Sequence, residues 1–227
     1  MGAYGGTFDP IHNGHIAVAR AVRENFELEQ LLIIPSARPP HKKRRSISEA
    51  YQRYAMAVLG TLDLPGVAVS SIELESPGQP YTFQTVERLR ECYGEESKLF
   101  FVMGSDSFVD LEFWKEPQRI LANCGVVIAS RPGFRLDRTE ADRLAAALGN
   151  AERPGSVKLV DLRETHASVA EATSGETRGA VYLTDYGRVD ASATEIRRQV
   201  QMGRGVGDLV PAAVDAYIRK YHLYSET

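Results

Sequence analysis

Short β-like runs alternate along this chain with segments of helical period, and few architectures accommodate that alternation. Leu31-Leu32-Ile33-Ile34 is apolar at every position, as a strand covered on both faces should be, and Pro35 stops it. Ala3-Tyr4, Val67–Val69, Leu99–Val102, Val126–Ala129, Val157–Leu162 and Ala180–Leu183 read as further strands. Ile16–Phe26, a segment ending near Leu59, Thr82–Tyr93 and Asp137–Leu148 read as the helices between them. Parallel strands joined by crossover helices satisfy this order, which makes the fold α/β, with an open, mostly parallel sheet and helices on both faces. With 227 residues, 43% of them hydrophobic, the chain fills one such domain, including a small C-terminal helical part over about 190–224.

Local punctuation refines the boundaries. Ser46 and Glu49 have capping-box spacing ahead of the second helix, and Ser192 with Glu195 repeats the pattern ahead of a helix ending near Gly203. Leu209-Val210-Pro211 leads a last helix to Tyr221, with proline where helix starts tolerate it. Only Met1–Tyr4 precede Gly5, so the first strand is expected to be shorter than the usual ~5–6 residues. Arg163–Gly179, polar and rich in Thr, Ser, Ala and Glu, is expected to be a mobile surface excursion.

A net charge of −3 provides no global basic field of the kind that holds a nucleic-acid backbone. Cys92 and Cys124 are too few for a disulfide framework or a thiolate zinc site, and both read as reduced and structural. No run approaches the ~18–20 apolar residues of a membrane span, and no charged-then-apolar leader opens the chain. The expected setting is cytoplasmic, with small-molecule partners, no nucleic acid and no membrane. The sequence leaves room for a homo-oligomer.

In open parallel sheets, ligands sit beyond the carboxyl ends of the strands. Here the distinctive residues follow strand ends: Gly5-Gly6-Thr7-Phe8, Pro39-Pro40-His41-Lys42, Gly104-Ser105-Asp106 and Ser130-Arg131-Pro132-Gly133. A glycine pair lets backbone amides approach a phosphate, and His12-Asn13-Gly14-His15 then opens a helix. A His pair can bind metal, but no third candidate stands at ligand spacing, so no metal site is expected. Imidazoles at a helix N-terminus donate instead to phosphate oxygens, where the dipole already favours an anion. Lys42–Arg45 is a basic run whose stiffened start singles out His41 and Lys42 as phosphate contacts. Arg197 places a cation in the first turns of a helix, where the dipole disfavours it, and a bound polyphosphate reconciles the two. Asp106 can accept both hydroxyls of a ribose.

These residues, in this order, resemble the bacterial nicotinate mononucleotide adenylyltransferases, in the wider nucleotidyltransferase group with a His-x-Gly-His signature. The markers are 5–15, Pro-Pro-His-Lys at 39–42, Tyr81-Thr-x-x-Thr85, Gly104-x-Asp106 with Trp114, Arg131-Pro-Gly, Ser192-Ala-Thr-x-Ile-Arg197 and Leu209-Val-Pro. The resemblance runs from Gly5 to Tyr224 and implies a Rossmann-like nucleotidyltransferase fold. It also implies transfer of AMP from ATP to nicotinate mononucleotide with Mg²⁺, giving nicotinate adenine dinucleotide, a precursor of NAD, and pyrophosphate. By the same likeness, Gly6, Thr7, Phe8, His12, His15, Lys42, Thr194 and Arg197 would hold ATP phosphates, with His12, His15, Lys42 and Arg197 carrying the chemistry. Gly104 and Asp106 would hold the ribose, and Arg131 would lie near adenine. Thr85, Trp114, Tyr81 and Lys42 would receive the acceptor, with the Thr85 hydroxyl meeting the nicotinate carboxylate. Two alternatives stay open: a related transferase acting on phosphopantetheine or glycerol phosphate, and a non-catalytic nucleotide sensor.

Overall fold

The computed structural model describes residues 1–37, 47–78, 80–130, 136–148, 157–163, 168–186 and 189–225. Seven strands form one parallel sheet: β1 (Gly2–Gly6), β2 (Leu31–Pro35), β3 (Val67–Val69), β4 (Phe100–Gly104), β5 (Gly125–Ala129), β6 (Lys158–Asp161) and β7 (Ala180–Thr184). Their spatial order is β3-β2-β1-β4-β5-β7-β6, so the winding reverses between β1 and β4. Such a reversal opens a crevice at the carboxyl ends of those two strands.

Strand residues alternate between the two faces, and each face has its own core. Tyr4, Ile33, Val102, Val127 and Tyr182 pack on one face with α1 (Asn13–Asn25), α2 (Ala50–Thr61), α8 (Ala193–Gln201) and α9 (Ala212–Lys220). Ala3, Leu32, Ile34, Phe101, Met103, Val126 and Ile128 pack on the other. There they meet α3 (Thr82–Tyr93), α4 (Ser105–Val109), α5 (Pro117–Asn123) and α6 (Arg138–Leu148). Each fully buried aliphatic side chain contributes about 1.5–3 kcal/mol through area removed from water.

Several expectations are corrected. The first strand is not short: its five residues pair in register with Leu31–Pro35, and its two closing glycines belong to it. A Cβ on Gly5 would stand 2.7 Å from the Phe101 ring, and one on Gly6 2.8 Å from the Phe8 ring. The pair therefore also makes room for aromatic packing. Pro35 is the last residue of β2, not its stop. Helix α2 starts at Ala50, with Glu49 at its N-cap rather than inside its first turn; Ser46, the other residue of the expected capping box, lies outside the described residues. At α8, Ser192 is the N-cap but makes no side-chain capping bond, and the Glu195 carboxylate pairs with Arg198 at 2.6 Å instead of reaching back to it. Helices α4 and α5 and a 3-10 turn at Leu111–Phe113 occupy a stretch left unassigned from sequence. Within 163–179, α7 (Val169–Ala172) forms. Residues 168–179 of that stretch are tied down: Lys98 Nζ donates to Thr173 O at 2.6 Å, the Gly179 N–H donates to Leu121 O at 2.8 Å, and Thr177 is buried. Cys124 is buried, and that burial pushes its thiol up to about 12, whereas Cys92 is exposed.

One polar residue of α2 fastens the loops around the crevice. Arg53 is 1% exposed, and its guanidinium donates from Nη1 to Thr7 O at 2.8 Å and from Nη2 to Ser36 O at 2.7 Å and Ala37 O at 3.4 Å. Its Nε donates to Ser48 O at 3.1 Å. The planar fork thus joins the loop after β1, the segment after β2 and the approach to α2. Leaving one buried polar group without a partner costs about 1–3 kcal/mol. Arg53→Ala is therefore expected to lower unfolding stability by at least about 3 kcal/mol, and Arg53→Lys by less, since an ammonium keeps the charge and three donors although it lacks the planar fork. Urea unfolding midpoints check this, and an unchanged midpoint for Arg53→Ala contradicts it.

Candidate active site

A cavity of about 500 Å³ occupies the crevice between the ends of β1 and β4. Gly6, Thr7, Phe8, His12 and His15 line it on the α1 side, and Gly104, Asp106 and Thr194 line it as well. Tyr81 and Trp114 line the opposite side. Of the remaining site residues expected from sequence, Lys42 and Arg131 lie outside the described residues, as does His41. Arg197 and Thr85 stand behind the wall.

The loop from β1 to α1 is held from behind by its carbonyls. Gly6 O accepts from both the N–H and the hydroxyl of Ser36 at 2.9 Å, and Thr7 O accepts from Arg53. In a planar trans peptide the N–H lies opposite the C=O, so the Thr7 and Phe8 amides point away from these anchors. Phe8 takes a left-handed backbone, with φ of 50°, a conformation that costs a non-glycine residue about 1–3 kcal/mol. Its buried ring repays this by packing edge-on to Tyr4 at 5.5 Å and His15 at 4.9 Å.

His12 is the N-cap of α1 and His15 sits in its first turn, their rings stacked with centroids 3.6 Å apart. The His12 backbone N–H donates to His15 Nδ1 at 3.2 Å. A neutral imidazole whose Nδ1 accepts carries its proton on Nε2, so this bond makes His15 Nε2 a donor. A donor at a helix N-terminus suits an anion. Among the described residues no group of three or more His, Cys, Asp or Glu side chains is arranged to hold a metal ion.

Asp106 is exposed in the first turn of α4, directly after Gly104, the last residue of β4. Thr194 is exposed in the first turn of α8. One turn on, Arg197 donates from Nη1 to the backbone oxygen of Asp9 at 2.6 Å, and its Nη2 lies 3.4 Å from Thr194 Oγ1. The guanidinium therefore adjoins the cavity through Asp9 and Thr194, both of which line it.

On the opposite side Thr85, expected to meet the acceptor's carboxylate, stands just behind the cavity lining. Thr85 is buried, its N–H donates to Tyr81 O at 3.2 Å and its hydroxyl to Glu73 Oε1 at 3.0 Å. Both of its donors are committed, and Thr82, one turn earlier, faces the cavity instead. Trp114 is half-buried and follows the 3-10 turn, while Tyr81 stacks parallel to Phe83 with centroids 6.1 Å apart. Glu73, Thr82 and Lys115 line the cavity and were not singled out from sequence. Glu73 is marked by contacts that the fold makes, among them the Thr85 hydroxyl 12 residues away.

Glu73 also accepts from the Ala37 N–H at 3.2 Å. Burial raises its carboxyl above the ordinary range, against the lowering effect of those two hydrogen bonds and of Arg53. A raised folded-state value means the folded chain holds this proton more tightly than the unfolded chain does, so the contribution to stability falls as pH rises through that interval. Glu73→Gln does not titrate. Its melting temperature relative to the parent is expected to rise as pH increases above the ordinary Glu value of about 4.3, and a difference independent of pH contradicts this.

The fold and the cavity define a nucleotide-binding α/β enzyme of the nucleotidyltransferase class, and residues 3–199 match the cytidylyltransferase-like family model. A "probable nicotinate-nucleotide adenylyltransferase" of Thermoanaerobacter sp. (strain X514) is 33% identical over all of this chain and 94% of its own length. A protein of the same name from Geobacter sulfurreducens is 36% identical over 99% of this chain and 97% of its own. The chain belongs to the nicotinate-nucleotide adenylyltransferase family. Its fold matches solved structures of Plasmodium falciparum nicotinic acid mononucleotide adenylyltransferase, one complexed with APC and one with NaAD. Both give a TM-score of 0.69 at 17% identity and cover 98% of this chain and 96% of the other. Among the described residues no helix is long and apolar enough to cross a membrane.

Proposed function

We propose that this chain transfers AMP from ATP to nicotinate mononucleotide, releasing pyrophosphate and forming nicotinate adenine dinucleotide. The observation that carries this is one cavity with a donor-rich helix start, His12 and His15, on one side and an aromatic side, Trp114 and Tyr81, facing it. The first suits the triphosphate and the second a pyridine ring. The names of the full-length relatives specify the acceptor.

A phosphate monoester oxygen of the acceptor attacks the α-phosphorus of ATP, and the bond to the β-phosphate bridge oxygen breaks. The attacking group is largely ionised near neutral pH, its second pKa being ~6, so no general base is required. Alignment and charge neutralisation supply the rate. In this scheme the Thr7 and Phe8 amides behind Gly6, the His12 and His15 imidazoles, Thr194, Lys42 and Arg197 hold phosphate oxygens. Gly104 lets the ribose approach Asp106, and the Arg131 segment lies beside adenine. Tyr81 and Trp114 flank the pyridine ring while Thr82 meets its carboxylate, with Thr85 and Glu73 bracing that wall. A divalent cation, Mg²⁺ in this scheme, enters on the triphosphate as part of the substrate. The working unit is a soluble domain spanning the chain, and its setting cytoplasmic.

Pyrophosphate release from Mg²⁺ and ATP, compared with nicotinate mononucleotide, nicotinamide mononucleotide and phosphopantetheine as acceptors, tests this directly. The first should be fastest; inactivity with all three leaves the nucleotide sensor, and a phosphopantetheine preference the related transferase. His15→Ala is expected to lower kcat about 10²–10³-fold, the usual loss for one donor to developing charge. Unchanged turnover refutes its role.

A further inference from the structure

Asp9 is 2% exposed and sits where four distant segments meet. Its Oδ1 accepts from the Tyr224 hydroxyl at 2.7 Å, across 215 residues of chain, and its Oδ2 from the Ser48 N–H at 3.3 Å. Its backbone oxygen accepts from Arg197 Nη1 at 2.6 Å, and that same nitrogen stands 4.0 Å from Oδ2. The carboxylate and the guanidinium are thus neighbours without a close ion pair. A direct pair with N···O near 2.8 Å would be the strong contact for these two groups, and a short rotation of the carboxylate would make it. What opposes that rotation is the hydrogen bonding of both carboxylate oxygens to other segments.

The geometry points to Tyr224 as a positioning residue for the phosphate subsite: by holding Asp9 Oδ1, it keeps the Asp9 carboxylate off Arg197 and leaves that guanidinium's charge for the nucleotide. The inference rests on the proposed placement of Arg197 at the triphosphate. Tyr224 is suited to the task, because burial keeps its phenol protonated far above neutral pH and its OH also rests 3.9 Å from Met56 Sδ in the core. Its backbone is fixed in the left-handed region, with φ of 65°. Without the phenol, Oδ1 loses the Tyr224 donor, and the Arg197 guanidinium, with Nη1 already 4.0 Å from Oδ2, is a cation within reach of the freed carboxylate.

Tyr224→Phe removes one oxygen and keeps the ring. The variant should weaken binding of Mg²⁺-ATP about tenfold by titration calorimetry, the size of one charge-assisted hydrogen bond, and raise the ATP KM while leaving the acceptor KM within about twofold. Asp9→Asn in the same background supplies the check that a packing defect would not pass. An amide cannot neutralise Arg197, so the double variant should recover most of the lost ATP affinity. ATP affinity within about twofold of the parent in Tyr224→Phe overturns the inference, as does a double variant no better than the single one. If the parent binds ATP but turns over no acceptor, the proposed reaction fails while the binding comparison still judges Tyr224.

Discussion

The Arg53 guanidinium holds together the parts from which the cavity is made. Four carbonyls, those of Thr7, Ser36, Ala37 and Ser48, converge on one buried cation that reaches them from α2. Each of those carbonyls belongs to a loop that would otherwise end in solvent. A buried charge is tolerated only when its donors are met, so the cation and the loops stabilise one another's positions. From Ala37 the hydrogen bonding continues through Glu73 to Thr85, and from Ser48 through Asp9 to Tyr224. Thr7, Asp9, Ser36 and Glu73, all of which line the cavity, are thereby joined through one set of polar contacts.

That polar network lies over a sheet whose own requirements are apolar. The reversal between β1 and β4 places two strand ends side by side with their loops turned apart, and the helices on both faces leave only the carboxyl edge open. Gly5 and Gly6 serve this geometry twice. Their missing side chains admit the Phe101 and Phe8 rings, and the strained Phe8 backbone in turn seats the ring that backs His15.

Strand positions were legible because a strand buried on both faces leaves a continuous apolar run, as at Leu31–Ile34, Leu99–Val102 and Val126–Ala129. The motif residues were legible because glycine pairs, paired histidines and Gly-x-Asp are unusual at strand ends. Helices α4 and α5 left weaker signals, being only five and seven residues long. Capping-box spacing at Ser192 does not fix where the Glu195 carboxylate goes, and Arg198, three residues on, takes it. Glu73 and Tyr224 were invisible in a different way: a lone Glu in a turn and a Tyr near the chain end carry no pattern.

By itself the sequence determined the α/β class, the succession of strands with the longer helices between them, and the chemical kinds gathered at the strand ends, because all of these are local consequences of periodicity and residue type. Tertiary structure alone decided which donors remain for a ligand. Thr85 turns its hydroxyl inward to Glu73, Thr82 takes its place on the wall, and Arg197 leans on the Asp9 carbonyl rather than its carboxylate. Hydrogen bonds between residues 12, 46 or 215 positions apart depend on how the sheet is wound, and no spacing along the chain encodes them.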